Sequence, residues 1–157
     1  MPDDDAIVFA EKLLSLLDTG RYTATYKFAV LVALIDECVS SVDEHGRPPD
    51  ELDAFRVGRR VLELYWHQAV PYRSSVDAQP VLLRHSTQAN DLVQIITAFR
   101  KDQGFVAGVS LEQAQRRAPE SLEALERRVT TTVIRMPLPK LQRVSTRSGI
   151  REDRFLY

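Results

Sequence analysis

The sequence predicts a mainly α-helical domain of five or six helices, with a small β-hairpin at its C-terminal end and a second half that resembles a winged helix. Two observations carry this prediction. Apolar residues recur at spacings of three and four along most of the 157-residue chain, and segments rich in proline or glycine separate these stretches. The hydrophobic fraction of 44% and the charged fraction of 27% are ordinary for a globular protein with a buried core.

The first half of the chain contains three helical patterns. They are an apolar stripe over residues 7–17, a helix that begins near Thr23 or Thr25 and ends near Val42, and a helix over about residues 50–66. The second of these has eight consecutive apolar residues, Phe28–Ile35, and therefore no polar face in its middle. Such a segment predicts a central helix that is surrounded by others.

The second half continues the helical pattern and ends differently. We predict helices over residues 87–101, from Ser110 to about Arg117 and from Pro119 to about Met136, followed by strands at Lys140–Val144 and Arg154–Tyr157. The polar segment 71–80 is flanked by prolines and is the best linker candidate. The predicted organisation is a helical subdomain over 1–70, a linker over 71–80 and a second helical subdomain with the hairpin over 81–157, or else a single domain.

Several classes of site are excluded by residue type and spacing. A single cysteine, Cys38, permits neither an internal disulfide nor a Cys-x-x-Cys zinc knuckle, and its apolar surroundings predict a small buried hydrophobe. His45, His67 and His85 are far apart and form no His-Glu-x-x-His pair, so we interpret each as a loop or surface residue. The chain has no serine-nucleophile elbow and no phosphate-binding glycine loop. We expect no catalytic site, metal site or cofactor within these residues.

The N-terminal sequence and the hydropathy pattern predict a cytoplasmic protein without membrane contact. The chain starts with Met-Pro-Asp-Asp-Asp, which lacks the basic and apolar regions of a signal peptide. The longest apolar run is far shorter than the ~20 residues that a membrane-spanning helix needs.

Charge is distributed unevenly along the chain. Residues 1–53 hold 12 acidic and 4 basic side chains, whereas residues 101–157 hold 7 acidic and 11 basic ones. Seven basic residues without an intervening acid extend from Arg127 to Arg151, and we predict that they bind nucleic acid: Arg127, Arg128, Arg135, Lys140, Arg143, Arg147 and Arg151.

Two interpretations of this basic stretch remain open. In the first, a short helix, a turn, an arginine-bearing helix and a basic hairpin form a winged helix-turn-helix. In the second, a solvated cationic face balances the acidic N-terminal half, for example by packing against it. The turn lacks the usual glycine, and Glu120, Glu123 and Glu126 dilute the positive helix face.

Segments along nearly the whole chain resemble the N-terminal region of a bacterial family of HNH-endonuclease-like proteins. The segments are Phe9–Gly20, Tyr22–Lys27, Gly46–Pro49, Val61–Trp66, Leu92–Arg100, Pro137–Gln142 and Asp153–Tyr157. In that family this region precedes a nuclease module that cuts DNA with a histidine base and one divalent metal, often beside a cysteine-rich zinc knuckle. The module's Cys-x-x-Cys, Asp-His and Asn/His signature is absent here, so the resemblance transfers no catalytic residue.

The resemblance implies an accessory domain that positions or recognises DNA for a metal-dependent module beyond Tyr157. The apolar ending Phe155–Tyr157 is typical of a chain that continues in a longer parent. A rival hypothesis is a protein-interaction or oligomerisation module, for example a homodimer, that uses the acidic first half and the aromatic residues Tyr22, Tyr26, Tyr65 and Trp66. A stand-alone enzyme is a third possibility.

Overall fold

The computed structural model describes residue 11 and residues 25–72, 80–81, 91–141, 143–146 and 149–152. Within these ranges the chain is mainly helical, which confirms the mainly α-helical part of the predicted fold class. The elements are α1 (Tyr26–Ser40), α2 (Ala54–Trp66), α3 (Leu92–Asp102), α4 (Leu111–Arg117), α5 (Pro119–Arg135), α6 (Pro137–Leu141), β1 (Arg143–Thr146) and β2 (Gly149–Glu152). Apart from Glu11, the helix predicted over 7–17 lies outside the described residues.

Helix α1 begins after Thr25 and buries only one side. Val30, Leu31, Ala33 and Leu34 lie in the core, where α1 packs against α2 and α6. The opposite side is also apolar, and Val39 at its far end is 67% exposed. The prediction of a helix surrounded on all sides therefore does not hold among the described residues.

Helices α2 and α5 form the centre of the fold. Their buried side chains belong to one core, to which α1, α3, α4 and α6 also contribute. The largest fully buried residues, Trp66 and Tyr65, lie at the end of α2. Residues on both sides of segment 71–80 join this core, and an isolated antiparallel bridge between Tyr72 and Val81 brings the two ends of the segment together.

The loop between α3 and α4 is held by a buried arginine. The guanidinium of Arg100 donates hydrogen bonds to the carbonyl oxygens of Val106 (2.8 Å), Ala107 (3.1 Å) and Val109 (3.3 Å). It also lies 4.5 Å from the ring centroid of Trp66, whose indole N–H donates to the same Val109 oxygen. Burial lowers the pKa of Arg100. The loop thus leads into the Ser110 capping box that starts α4.

The chain after α5 departs in detail from the predicted boundaries. Helix α5 ends at Arg135, but Pro137 opens the short helix α6 because proline is tolerated in a first helical turn. Lys140 is consequently helical, although the sequence placed it in a strand. Strands β1 and β2 pair antiparallel, while the predicted strand Arg154–Tyr157 lies outside the described residues. None of the described helices combines the length and the hydropathy that a membrane span requires.

Candidate nucleic-acid interface

Helix α5 presents three of the predicted arginines to solvent. Arg127, Arg128 and Arg135 are all exposed, while the opposite side of the helix packs into the core through residues such as Val129 and Val133. This division follows from the helical period, because residues three or four apart share one side. The structure therefore brings these three predicted residues to one exposed surface.

The three arginines differ in their ion pairs. Arg127 forms an ion pair with Glu123, one helical turn earlier. Arg128 and Arg135 form no ion pair with any residue that the structure describes. Their positive charges are therefore available to an external anion without first breaking an internal contact.

Acidic residues occupy the first half of the same exposed side of α5. Glu120 and Glu123 are exposed there, as the sequence suggested. Glu126 was expected to dilute the positive face as well, but the structure places it in the interior, with 3% of its surface exposed. The exposed side therefore changes sign along the helix, from acidic before residue 124 to basic after residue 126.

Buried Glu126 faces α2. Its Oε1 lies 3.4 Å from Nη1 of Arg59 and has no hydrogen-bond partner within the described structure. Burial raises the pKa of Glu126, the charge of Arg59 opposes this rise, and Glu123 and Glu63 add to it. The Arg59 contact connects α2 and α5 beside the close approach of Gly58 to Thr130.

The acids of α1 are balanced by α2. Asp36 accepts a hydrogen bond of 2.7 Å from Nε of Arg60, and Glu37 pairs with Arg56. The hydrogen bonds that Arg60 donates to Glu63 first, and then to Asp36, raise the pKa of Arg60. Among the described residues, two acids of the acidic half, Asp36 and Glu37, thus pair with arginines of α2, and no acid of that half forms an ion pair with the arginines of α5. Sequence reasoning missed this network, since spacing alone does not show that α1 and α2 are neighbours.

The remaining predicted residues follow α5. Lys140 lies in α6, and Arg143 and Arg151 lie in β1 and β2. In the ladder, Arg143 is opposite Glu152 and Arg151 is opposite Val144, which are adjacent pairs. Adjacent pairs belong to alternate faces of a hairpin, so positions 143 and 151 lie on opposite faces of it. Arg147 lies outside the described residues.

The connection between α4 and α5 is shorter than the usual helix-turn-helix connection. Ala118 alone separates the two helices, whereas that motif has a turn of about 3–4 residues. The second helix of the motif contacts DNA through its N-terminal residues, but α5 begins with Pro119 and Glu120. The free cations are instead in the last two turns of α5.

Other candidate residues lie apart from one another. His45 and His67 are exposed, and His85 lies outside the described residues. Cys38 is only partly buried, which differs from the prediction, and burial followed by the nearby Glu37 charge raises its pKa. In the described part of the chain, no group of three or more His, Cys, Asp or Glu side chains could hold a metal ion.

The aromatic residues proposed for protein contacts are mostly inaccessible. Tyr65 and Trp66 are each 1% exposed, Tyr26 is partly buried and Tyr22 lies outside the described residues. A group of exposed apolar residues instead lies on the outer side of α1, including Val32, Ile35 and Val39. The eight-residue apolar run was the sequence signal for this surface, and it was interpreted as core.

Comparisons of this chain with protein-family models, with curated proteins and with solved structures found no match.

Proposed function

We propose that this chain is a DNA-positioning accessory domain of an HNH-type endonuclease. The family assignment rests on the ordered sequence segments that extend from Phe9 to Tyr157. The DNA role is supported chiefly by the exposed pair Arg128 and Arg135, which form no ion pair among the described residues. Lys140 and Arg147 would extend this surface, as would either Arg143 or Arg151, whose positions lie on alternate faces of the β1–β2 hairpin. The divalent metal and the cleavage chemistry belong to a module beyond this chain.

The physical basis is phosphate neutralisation. An arginine fork matches the geometry of phosphate oxygens and carries a permanent charge. Each neutralised phosphate releases condensed counterions, so affinity falls as salt rises. A domain of this kind holds DNA near a nuclease module without contributing to the reaction itself.

The test is a titration of fluorescently labelled duplex and single-stranded DNA with the 157-residue chain at several salt concentrations. We expect binding at low ionic strength that weakens as salt increases. The double variant Arg128→Gln/Arg135→Gln should bind more weakly than the wild type. Arg116→Gln is the matched control, because Arg116 is exposed but paired with Glu112. Absence of salt-dependent binding to either form of DNA would refute the DNA role.

A second candidate function is oligomerisation through α1. The observation that favours it is the exposed apolar side of this helix, where Val32, Ile35 and Val39 are 42%, 41% and 67% exposed. Light scattering would detect a dimer that forms without DNA. Val39→Asp should abolish such a dimer, whereas Ser40→Asp, on a neighbouring side of α1, should leave it intact. A monomer at all accessible concentrations would exclude this candidate.

A further inference from the structure

We infer that α5 binds the phosphate backbone of duplex DNA through its last two turns, without reading the base sequence. This inference rests on the proposed DNA role and specifies its substrate class and footprint. It depends on the distribution of charge along α5 and on the hydrogen bonds of the residues between the two free arginines.

The charge distribution sets the footprint. Glu120 occupies the exposed side near the start of α5 and would repel phosphates, and Glu123 is paired with Arg127, whereas Arg128 and Arg135 are near the end of the helix. The two arginines are separated by about two helical turns, or ~10 Å along the axis. They therefore project from the same side of the helix. This separation is comparable with the ~12 Å width of the B-DNA major groove, so the two side chains can contact phosphates on opposite strands.

The residues between the arginines offer little for base recognition. The hydroxyls of Thr131 and Thr132 donate to the carbonyl oxygens of Arg127 and Arg128 at 2.9 Å, which commits their donors to the helix. Residues 127–136 contain no Asn, Gln, Asp or Glu, and the amide side chains are the usual readers of adenine. Contacts from this face are therefore directed to the backbone, which positions a protein without specifying sequence.

The arginines themselves could recognise guanine, and the experiment addresses this directly. The full chain is titrated with three probes of equal length: an A·T duplex, a G·C-rich duplex and a single strand. The salt dependence is measured for the wild type, Arg128→Gln and Arg135→Gln. We expect equal affinity for the two duplexes and weaker binding of the single strand. Each substitution should weaken duplex binding about eightfold at about 0.1 M salt and reduce the slope of log K against log salt by about 0.9.

The controls separate the footprint from general electrostatics. Glu120→Gln, at the acidic end of the same side, should leave the salt slope unchanged because no phosphate contact is gained or lost there. A preference for the G·C-rich duplex, equal or tighter binding of the single strand, or a slope unaffected by Arg128→Gln and Arg135→Gln would overturn this inference while leaving the DNA role standing. If the chain bound none of the three probes, both this inference and the proposed DNA role would be overturned.

Discussion

Replacing Gly58 with alanine is expected to destabilise the protein, because this residue lies where α2 crosses α5. A Cβ at position 58 would lie 2.1 Å from Oγ1 of Thr130 and 2.8 Å from both its Cα and its Cβ. Rotation of the Thr130 side chain could move the hydroxyl away, although this would break its hydrogen bond to the Glu126 carbonyl. The Cα and Cβ cannot move without the backbone of α5, so the two helices would have to separate.

The size of the effect is a difference between two contributions. Overpacking a core costs about 1–3 kcal/mol, and the upper end applies here because backbone atoms are involved. Alanine is more favourable than glycine within a helix by about 0.5–1 kcal/mol. The net expectation is a loss of about 2 kcal/mol, which corresponds to a decrease of ~4–8 °C in the melting temperature for a chain of this size.

Urea unfolding followed by circular dichroism would measure this loss as a shift of the midpoint at constant slope. Gly108→Ala is the matched control, since a Cβ there would meet no atom within 4 Å and Gly108 does not have a positive φ. It should be neutral or slightly stabilising. If Gly58→Ala unfolded at the same urea concentration as the wild type, or at a higher one, the inferred contact between α2 and α5 would be incorrect.

Three further substitutions test other contacts. Arg100→Met removes the three carbonyl contacts and the ring contact of a buried cation and should cost about 1–3 kcal/mol, because buried carbonyl oxygens lose their donors. Arg100→Lys should recover only part of this loss, because an ammonium lacks the planar fork; full recovery in urea unfolding would contradict this account. Burial raises the pKa of Glu126 in the folded state. The protonated carboxyl therefore contributes to the free energy of unfolding below about pH 4.3, and this contribution is lost as the pH rises through the raised pKa. As the pH increases through this range, the Glu126→Gln variant should therefore lose less stability than the wild type. Parallel curves of melting temperature against pH for the two proteins would exclude a contribution from the protonated Glu126 carboxyl. Asp53→Ala removes the side chain that accepts from the Phe55 backbone at the start of α2 and should cost about 1 kcal/mol. Asp50→Ala, outside that cap, is its control, and equal losses for the two variants would argue against capping.

Helix boundaries were predictable where a local signal was present. Ser110 and Pro119 begin helices as the sequence indicated, since capping and first-turn preferences act over a few neighbouring residues. Thr25 also precedes a helix as predicted, but its side chain makes no capping hydrogen bond. Lys140 was misassigned to a strand because the Pro-x-Pro segment that ends α5 also starts α6. A proline identifies a break, but it does not decide whether a helix or a strand comes after that break.

The candidate interface was predictable only in part. Helical periodicity placed Arg127, Arg128 and Arg135 on the exposed side of α5, and the structure agrees. The same periodicity cannot distinguish an acid that faces solvent from one that faces another helix, so Glu126 was expected outside and is buried against Arg59. Nor could it show which arginines are already paired, because the partners of Arg60 lie in part on a different helix.

The sequence by itself determined the helical class of this protein and the uneven distribution of its charge, because both follow from residue type and from spacing within a few turns. The tertiary structure alone decided which side of α1 is covered, because both sides of that helix are apolar. It buried Glu126, exposed the outer side of α1 and left Arg128 and Arg135 without an ion pair among the described residues. The physical reason is that burial and ion pairing depend on contacts between helices distant in the chain, such as Gly58 with Thr130, which no local pattern encodes.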